Sequence, residues 1–145
     1  MRTSQRGIDL IKSFEGCKLQ SYHDQVGVLT IGYGHTGTDV LPGMTINQQT
    51  AEDLLRHDLV RFEDGITNLV KKPLNQNQFG ALVCFSYNVG LGNLKSSTLL
   101  KDINAGLYKP AAEQFVKWDR AGGVEVAGLL RRRTAEQILF KSPVT

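Results

Sequence analysis

Cysteine is scarce in this chain, with only Cys17 and Cys84 among 145 residues. Two thiols without CxxC spacing cannot make a disulfide framework, and both read as free, buried groups of a protein folded in a reducing cytoplasm. Long apolar runs are missing as well. No stretch approaches the ~18 residues of a membrane span, and MRTSQRGIDLIKSFEG has no signal-peptide core. A substrate beyond the cytoplasmic membrane would therefore need another protein to open the route. His23, His35 and His57 form neither HExxH nor a paired Cys/His set, which argues against a zinc amidase. No Ser/His/Asp or Cys/His signature suggests a peptidase. Gly27, Gly32 and Gly34 do not form a phosphate-cradling GxGxxG loop. Repeats, low-complexity tracts and linkers are absent.

What is present suits one soluble globular domain, with 41% hydrophobic and 21% charged residues. The formal charge is +3 and unevenly placed. Residues 1–100 carry nine Lys/Arg and nine Asp/Glu, against eight and five in residues 101–145. Arg131, Arg132 and Arg133 stand at the centre of that excess. A basic surface suits an anionic polymer, nucleic acid or bacterial envelope, although such a run is most often a solvated helix face. A nucleic-acid role is disfavoured because the basic residues are not interleaved with a recognisable binding motif.

The expected organisation is α+β. Ser4 or Thr3 caps a first helix with Ile8, Ile11 and Phe14 on one face and Gly16 as its stop. Lys18 to His35 reads as a small twisted sheet of two or three strands, and GTDVLPGM as loop. Asn47 caps a long helix with apolar Ala51, Leu54, Leu55, Leu59, Phe62, Ile66 and Leu69, ended by Lys71-Lys72-Pro73. Asn75 caps a helix through FGALVCFSYNVG that is apolar nearly all round, hence central. Shorter helices follow around Ser97–Ala105 and Pro110–Arg120; AGGVEVAG is a loop, and LLRRRTAEQILF the last helix. A hairpin-bearing N-terminal lobe, joined by one long helix to a helical lobe, makes one cooperative unit with a cleft.

Glu15, Asp24 and Thr30 carry the chemistry. Eight residues separate the carboxylates and five more precede the threonine. Glu15 ends an apolar-faced helix beside Phe14, where desolvation favours a neutral carboxyl. Asp24 lies in a glycine-flanked turn, where water favours the ionised form. Two carboxyls in unlike environments supply an acid and a base, and Thr30 can orient a water with Asp24. Hydrolysis of a sugar–sugar bond needs such a set.

FEGCKLQSYHDQVGVLTIGYGHTG, SYNVG and GLLRRR resemble the phage-type lysozymes, most closely the endolysins of lambdoid phages infecting Gram-negative bacteria. The resemblance covers nearly the whole chain. It implies a lysozyme-like fold with residues 1–145 as a single catalytic domain. It implies a muramidase, without cofactor or metal, cleaving the β-1,4 bond between N-acetylmuramic acid and N-acetylglucosamine. Glu15 would be the general acid, Asp24 and Thr30 would hold the nucleophilic water, and the anomeric carbon would invert. His35 matches the family's histidine and Asp58 its aspartate partner, an expected ion pair that raises the histidine pKa. An arginine of GLLRRR would face Glu15; helical phase favours Arg132, with Arg131 as the alternative. Thr36 and Tyr87 match sugar-contacting positions, although an aromatic at helical spacing is as readily core. Trp118 is assigned to the C-terminal core. The implied partners are peptidoglycan and a holin, which releases a monomer from the host cytoplasm to the periplasm and cell wall. Two rivals stand beside this reading. One is a lytic transglycosylase leaving 1,6-anhydro ends, disfavoured by Asp24 and Thr30 together. The other is a cationic envelope binder acting through the basic C-terminal helix.

Overall fold

A computed structural model describes residues 1–144. Among them the order is α1 (Gln5–Glu15), β1 (Lys18–His23), β2 (Leu29–Gly32), β3 (His35–Thr36), α2 (Gln48–Leu69), α3 (Gln76–Val89), α4 (Leu91–Ser96), α5 (Thr98–Asn104), α6 (Tyr108–Gln114), β4 (Arg120–Ala121), β5 (Val124–Glu125) and α7 (Ala127–Lys141). The chain divides into two compact units, Ile11–Val60 and the remainder, with boundaries inside α1 and α2.

In the unit Ile11–Val60, the end of α1 is fixed by backbone chemistry. Gly16 adopts a φ of +67° and donates its N–H to the Lys12 carbonyl at 3.1 Å, so the helix stops with Glu15 in place. The sheet is antiparallel in the order β1-β2-β3, and β1 slips register between Lys18 and Tyr22. Thr30 lies opposite Tyr22 on one side and Thr36 on the other. Residues 44–46 run along the outer edge of β1, with Ser21 N–H bonded to the Met44 carbonyl and Ile46 N–H to the Leu19 carbonyl, both at 2.8 Å. That edge is therefore not left bare. Asn47 caps α2 by accepting the Thr50 N–H at 2.8 Å. Ala51, Leu55 and Leu59 are the buried positions of α2 in this unit, spaced at helical period.

The other unit is helical, with Ser4 accepting the Gly7 N–H at the start of α1. Asn75 and Gln78 form a reciprocal capping box at α3. Residues 79–86 of α3 are buried without a break, as expected for a central helix. α1 crosses α3 at Gly7 and Gly80. A Cβ on Gly7 would stand 3.2 Å from the Gly80 Cα, close enough that the facing backbone would have to give by a few tenths of an ångström. Phe85 meets Phe115 and Trp118 edge-on, each at 5.5 Å, so the half-buried Trp118 packs against the C-terminal core.

Four sequence expectations need correction. Leu91–Ser96 forms α4, too short to show a period. AGGVEVAG is not a loop: β4 and β5 pair across Gly122 and Gly123, both at positive φ, as a two-residue hairpin turn requires. Cys84 is buried, but Cys17 is only partly so; both are free. The arginine run is not a solvated face, since only Arg131 is exposed. Arg132 and Arg133 are 5% and 0% exposed around Glu136, itself 0% exposed. Arg133 Nε lies 2.8 Å from Glu136 Oε1, and Arg132 Nε 3.3 Å from Oε2. Arg132 also donates to the Cys84 carbonyl of α3 at 2.9 Å. Burial is the largest influence on Glu136 and pushes its carboxyl up, even against two guanidinium groups that pull it down.

Removing one member of such a buried set strands the others. Glu136→Ala is expected to lower the unfolding free energy in urea by about 3–5 kcal/mol. Arg131→Ala, in the same run but exposed, should stay within about 0.5 kcal/mol. Equally small effects for both would show that the arginines are solvated after all.

Candidate functional site

Glu15, Asp24, Thr30, Thr36, His35 and Asp58 all fall in the unit Ile11–Val60. Tyr87 and Arg132 belong to the other unit. Glu15, the last residue of α1, is half-buried. One turn earlier Lys12 pairs with Glu52 of α2 at 2.7 Å. Gln48 donates to both Glu52, at 3.1 Å, and the Tyr33 hydroxyl, at 2.8 Å. The last turn of α1, the first turn of α2 and the turn after β2 are thereby tied together. The hydrogen bond from Lys12 is the main reason the Glu52 carboxyl lies below its ordinary value. Sequence reasoning missed this network, whose partners lie 40 residues apart.

Asp24 directly follows β1 and builds its own turn. Its Oδ1 accepts the N–H of Val26 at 3.0 Å and of Val28 at 2.8 Å. Its backbone N–H donates to the Val28 carbonyl at 2.9 Å. Oδ1 is thus committed, whereas Oδ2 keeps its lone pairs for other donors. Thr30, 4% exposed on β2, donates its hydroxyl proton to the same Val28 carbonyl at 2.9 Å. Val28's peptide groups hold both side chains. With its proton spent, the Thr30 oxygen can only accept. A water placed between Asp24 and Thr30 must donate to both and turn a lone pair outward, as a nucleophile should.

On the opposite face of the sheet lies His35, paired in register with Ile31. Its Nδ1 is 2.7 Å from Asp58 Oδ2, the expected partner. Its Nε2 is 2.9 Å from Asp39 Oδ2, a partner the sequence reading did not identify. The His-x-x-x-Asp spacing was available, but in a loop it carries no periodicity. Burial pulls the His35 pKa down, yet its hydrogen bonds to Asp58 and Asp39 outweigh it, so the ring sits above its ordinary 6.5. Asp39 is held below its ordinary 3.8, mainly by the hydrogen bond to His35.

Thr36 is exposed, opposite Thr30 across β2–β3. Tyr87 is half-buried and meets Phe62 edge-on at 5.3 Å, so at least one ring edge serves packing. Arg132 is enclosed by Glu136 and the Cys84 carbonyl. Two of the three arginines that motivated a basic helix acting on envelopes are therefore buried, and only Arg131 of the run is exposed.

A family model described as phage lysozyme matches residues 12–136. The chain is 51% identical over 142 residues to an endolysin of Bacillus phage B103, covering 97% of this chain and 54% of that protein. It is 42% identical over 146 residues to an endolysin of Salmonella phage P22, covering 98% and 99%. The chain thus spans about half the length of the Bacillus phage relative and nearly all of the Salmonella phage one. Among solved structures, the muramidase domain of SpmX from Asticaccaulis excentricus superposes with a TM-score of 0.92 at 38% identity, covering 98% of this chain and 99% of that one.

A raised histidine stabilises the fold below its unfolded pKa and loses that contribution as pH rises through the folded value. The depressed Asp39 stabilises above 3.8 and loses its contribution as pH falls. The cluster is therefore fully stabilising between 3.8 and 6.5. Asp58→Asn is expected to cost about 1–2 kcal/mol inside that window, discounted for partial solvent access, and less under alkaline conditions. Thermal unfolding across pH measures it; a cost independent of pH would contradict the ion pair.

Proposed function

Since the chain belongs to the phage lysozyme family, we propose that it is a peptidoglycan hydrolase, a muramidase that lyses bacterial cells. It cleaves the β-1,4 bond between N-acetylmuramic acid and N-acetylglucosamine. The observation that carries this reading is the Val28 bridge, where one backbone segment holds both Asp24 and Thr30; in this reading the two side chains are acceptors for a single water. The relatives support it, being described as endolysins and a muramidase domain.

In the reaction Glu15 gives its proton to the glycosidic oxygen, and the bond to the anomeric carbon breaks as that carbon gains positive charge. Asp24 takes a proton from the water, whose lone pair attacks from the opposite face with inversion. Thr30 orients that water. Thr36 and Tyr87 contact the sugar chain. Residues 1–145 act as one catalytic domain and as a monomer, without cofactor. A holin opens the route from host cytoplasm to cell wall.

The test is digestion of purified peptidoglycan followed by mass spectrometry. Wild type should yield reducing N-acetylmuramic acid ends, and proton NMR should show the inverted anomer first. Glu15→Gln should lose at least about 100-fold in rate without loss of fold. Asp24→Asn keeps a carbonyl oxygen for the Val26 and Val28 amides, so the turn survives while the base is lost. Anhydro ends from wild type would instead identify a transglycosylase and remove the role given to Asp24.

A further inference from the structure

β3 is the weakest-held part of the sheet and yet presents Thr36. It is two residues long, lies at the sheet's edge and is joined to β2 through only two register pairs. Successive strand residues face opposite ways. Thr36 therefore stands on the side of Thr30, and His35 on the side of Ile31. Whatever holds the His35 ring also holds Thr36.

The ring is gripped at both ends. Nδ1 meets Asp58 Oδ2 and Oδ1 at 2.7 and 3.0 Å. Nε2 meets Asp39 Oδ2 and Oδ1 at 2.9 and 3.1 Å. Ionised carboxylates only accept, so both ring nitrogens must donate, which only the imidazolium can do. Asp58 belongs to α2, whereas Asp39 lies three residues beyond Thr36 in the loop that β3 enters. The cation thus anchors β3 to a helix on one side and closes its own loop on the other. The third titratable group nearby is His57 of α2, whose protonated form favours the Asp39 carboxylate. The neighbour from the sheet, Ile31, is apolar and 0% exposed.

We propose that Asp39 is a positioning residue for the sugar-binding edge of the site: with Asp58 it grips the His35 imidazolium from both sides and so holds Thr36 opposite Thr30. This rests on the hydrolase reading above. When the imidazolium loses a proton, one N–H remains. It stays with Asp58, whose side chain is 20% exposed against 61% for Asp39. Nε2 then points a lone pair at the Asp39 carboxylate, acceptor against acceptor, and the loop lets go. Substrate affinity falls as pH rises through the histidine's titration. Turnover is spared, because Glu15, Asp24 and Thr30 take no part in the clamp.

The experiment uses the full chain as wild type, Asp39→Ala and Asp39→Asn, with soluble peptidoglycan fragments as the substrate. kcat and KM are compared with wild type at each pH, so that titration of the catalytic carboxylates cancels. 15N order parameters of Thr36 and Gly37 are measured on the free protein in parallel. Asp39→Ala should raise KM about 3- to 10-fold at about pH 5.5, leave kcat within about 2-fold, and converge with wild type at about pH 8.5. Thr36 should be mobile in this variant at both pH values. In wild type it should become mobile only at the higher one. Asp39→Asn distinguishes a clamp from mere structure. Its amide can accept from Nε2–H or, flipped, donate to bare Nε2, so KM should stay low and stop rising with pH. Unchanged KM in Asp39→Ala with Thr36 rigid at both pH values would overturn the proposal. Order parameters that respond as expected, in a wild type that releases no peptidoglycan fragments, would overturn the hydrolase reading and leave the clamp standing.

Discussion

A charge taken out of water must be matched where it lies, and this constraint fixes the registers on which the rest of the structure depends. Apolar contacts are non-directional and tolerate sliding; a buried ion with assigned partners does not. Glu63 of α2, 4% exposed, accepts from the Thr3 N–H at 2.7 Å, the Thr3 hydroxyl at 2.6 Å and Arg2 at 3.0 Å. It thereby pins the chain just before α1. Glu136 gathers Arg132 and Arg133 within α7, and Arg132 reaches on to the Cys84 carbonyl of α3. His35 does the same for the small sheet. In each case an ion settles which segments meet, and apolar side chains fill the space around it.

The side chains proposed for catalysis are held by a different device. Asp24 and Thr30 are positioned by backbone groups of Val28, which cannot change rotamer. Glu15 is aimed by the last turn of a helix that Gly16 terminates and that Lys12 ties to Glu52. Preorganisation of this kind matters for catalysis because no ordering remains to be done in the transition state. It also leaves Oδ2 of Asp24 and the lone pairs of Thr30 available, whereas the buried structural ions face only other protein groups.

The helices were legible wherever period, cap and length agreed. Asn47 and Asn75 cap as expected, and Ala51, Leu55, Leu59, Phe62 and Ile66 are the buried stripe of α2. The α+β lysozyme-like fold follows from those elements and the three-stranded sheet. Elements too short for a period were not legible. α4 spans six residues, and β4 and β5 two each. The Gly122-Gly123 pair was the signal for that hairpin, hidden by reading a glycine-rich octapeptide as loop. His35 with Asp58 came through the family resemblance. Asp39 did not, because a contact within a loop leaves no pattern in sequence.

Arg132 and Arg133 show where composition misleads. A run of three arginines reads as a charged face only if nothing nearby neutralises it, and helix neighbours lie three and four residues away. Glu136 stands at both spacings, three from Arg133 and four from Arg132. Once this buried set is removed from the last 45 residues, six basic and four acidic side chains remain there. An excess that small gives little long-range attraction at physiological salt, where fields decay within about 8 Å. For the proposed hydrolase, recognition of an anionic polymer must then be local, made by the groups that line its site. On the proposed reading, Asp24, Thr30 and the edge bearing Thr36 are therefore where specificity is to be sought.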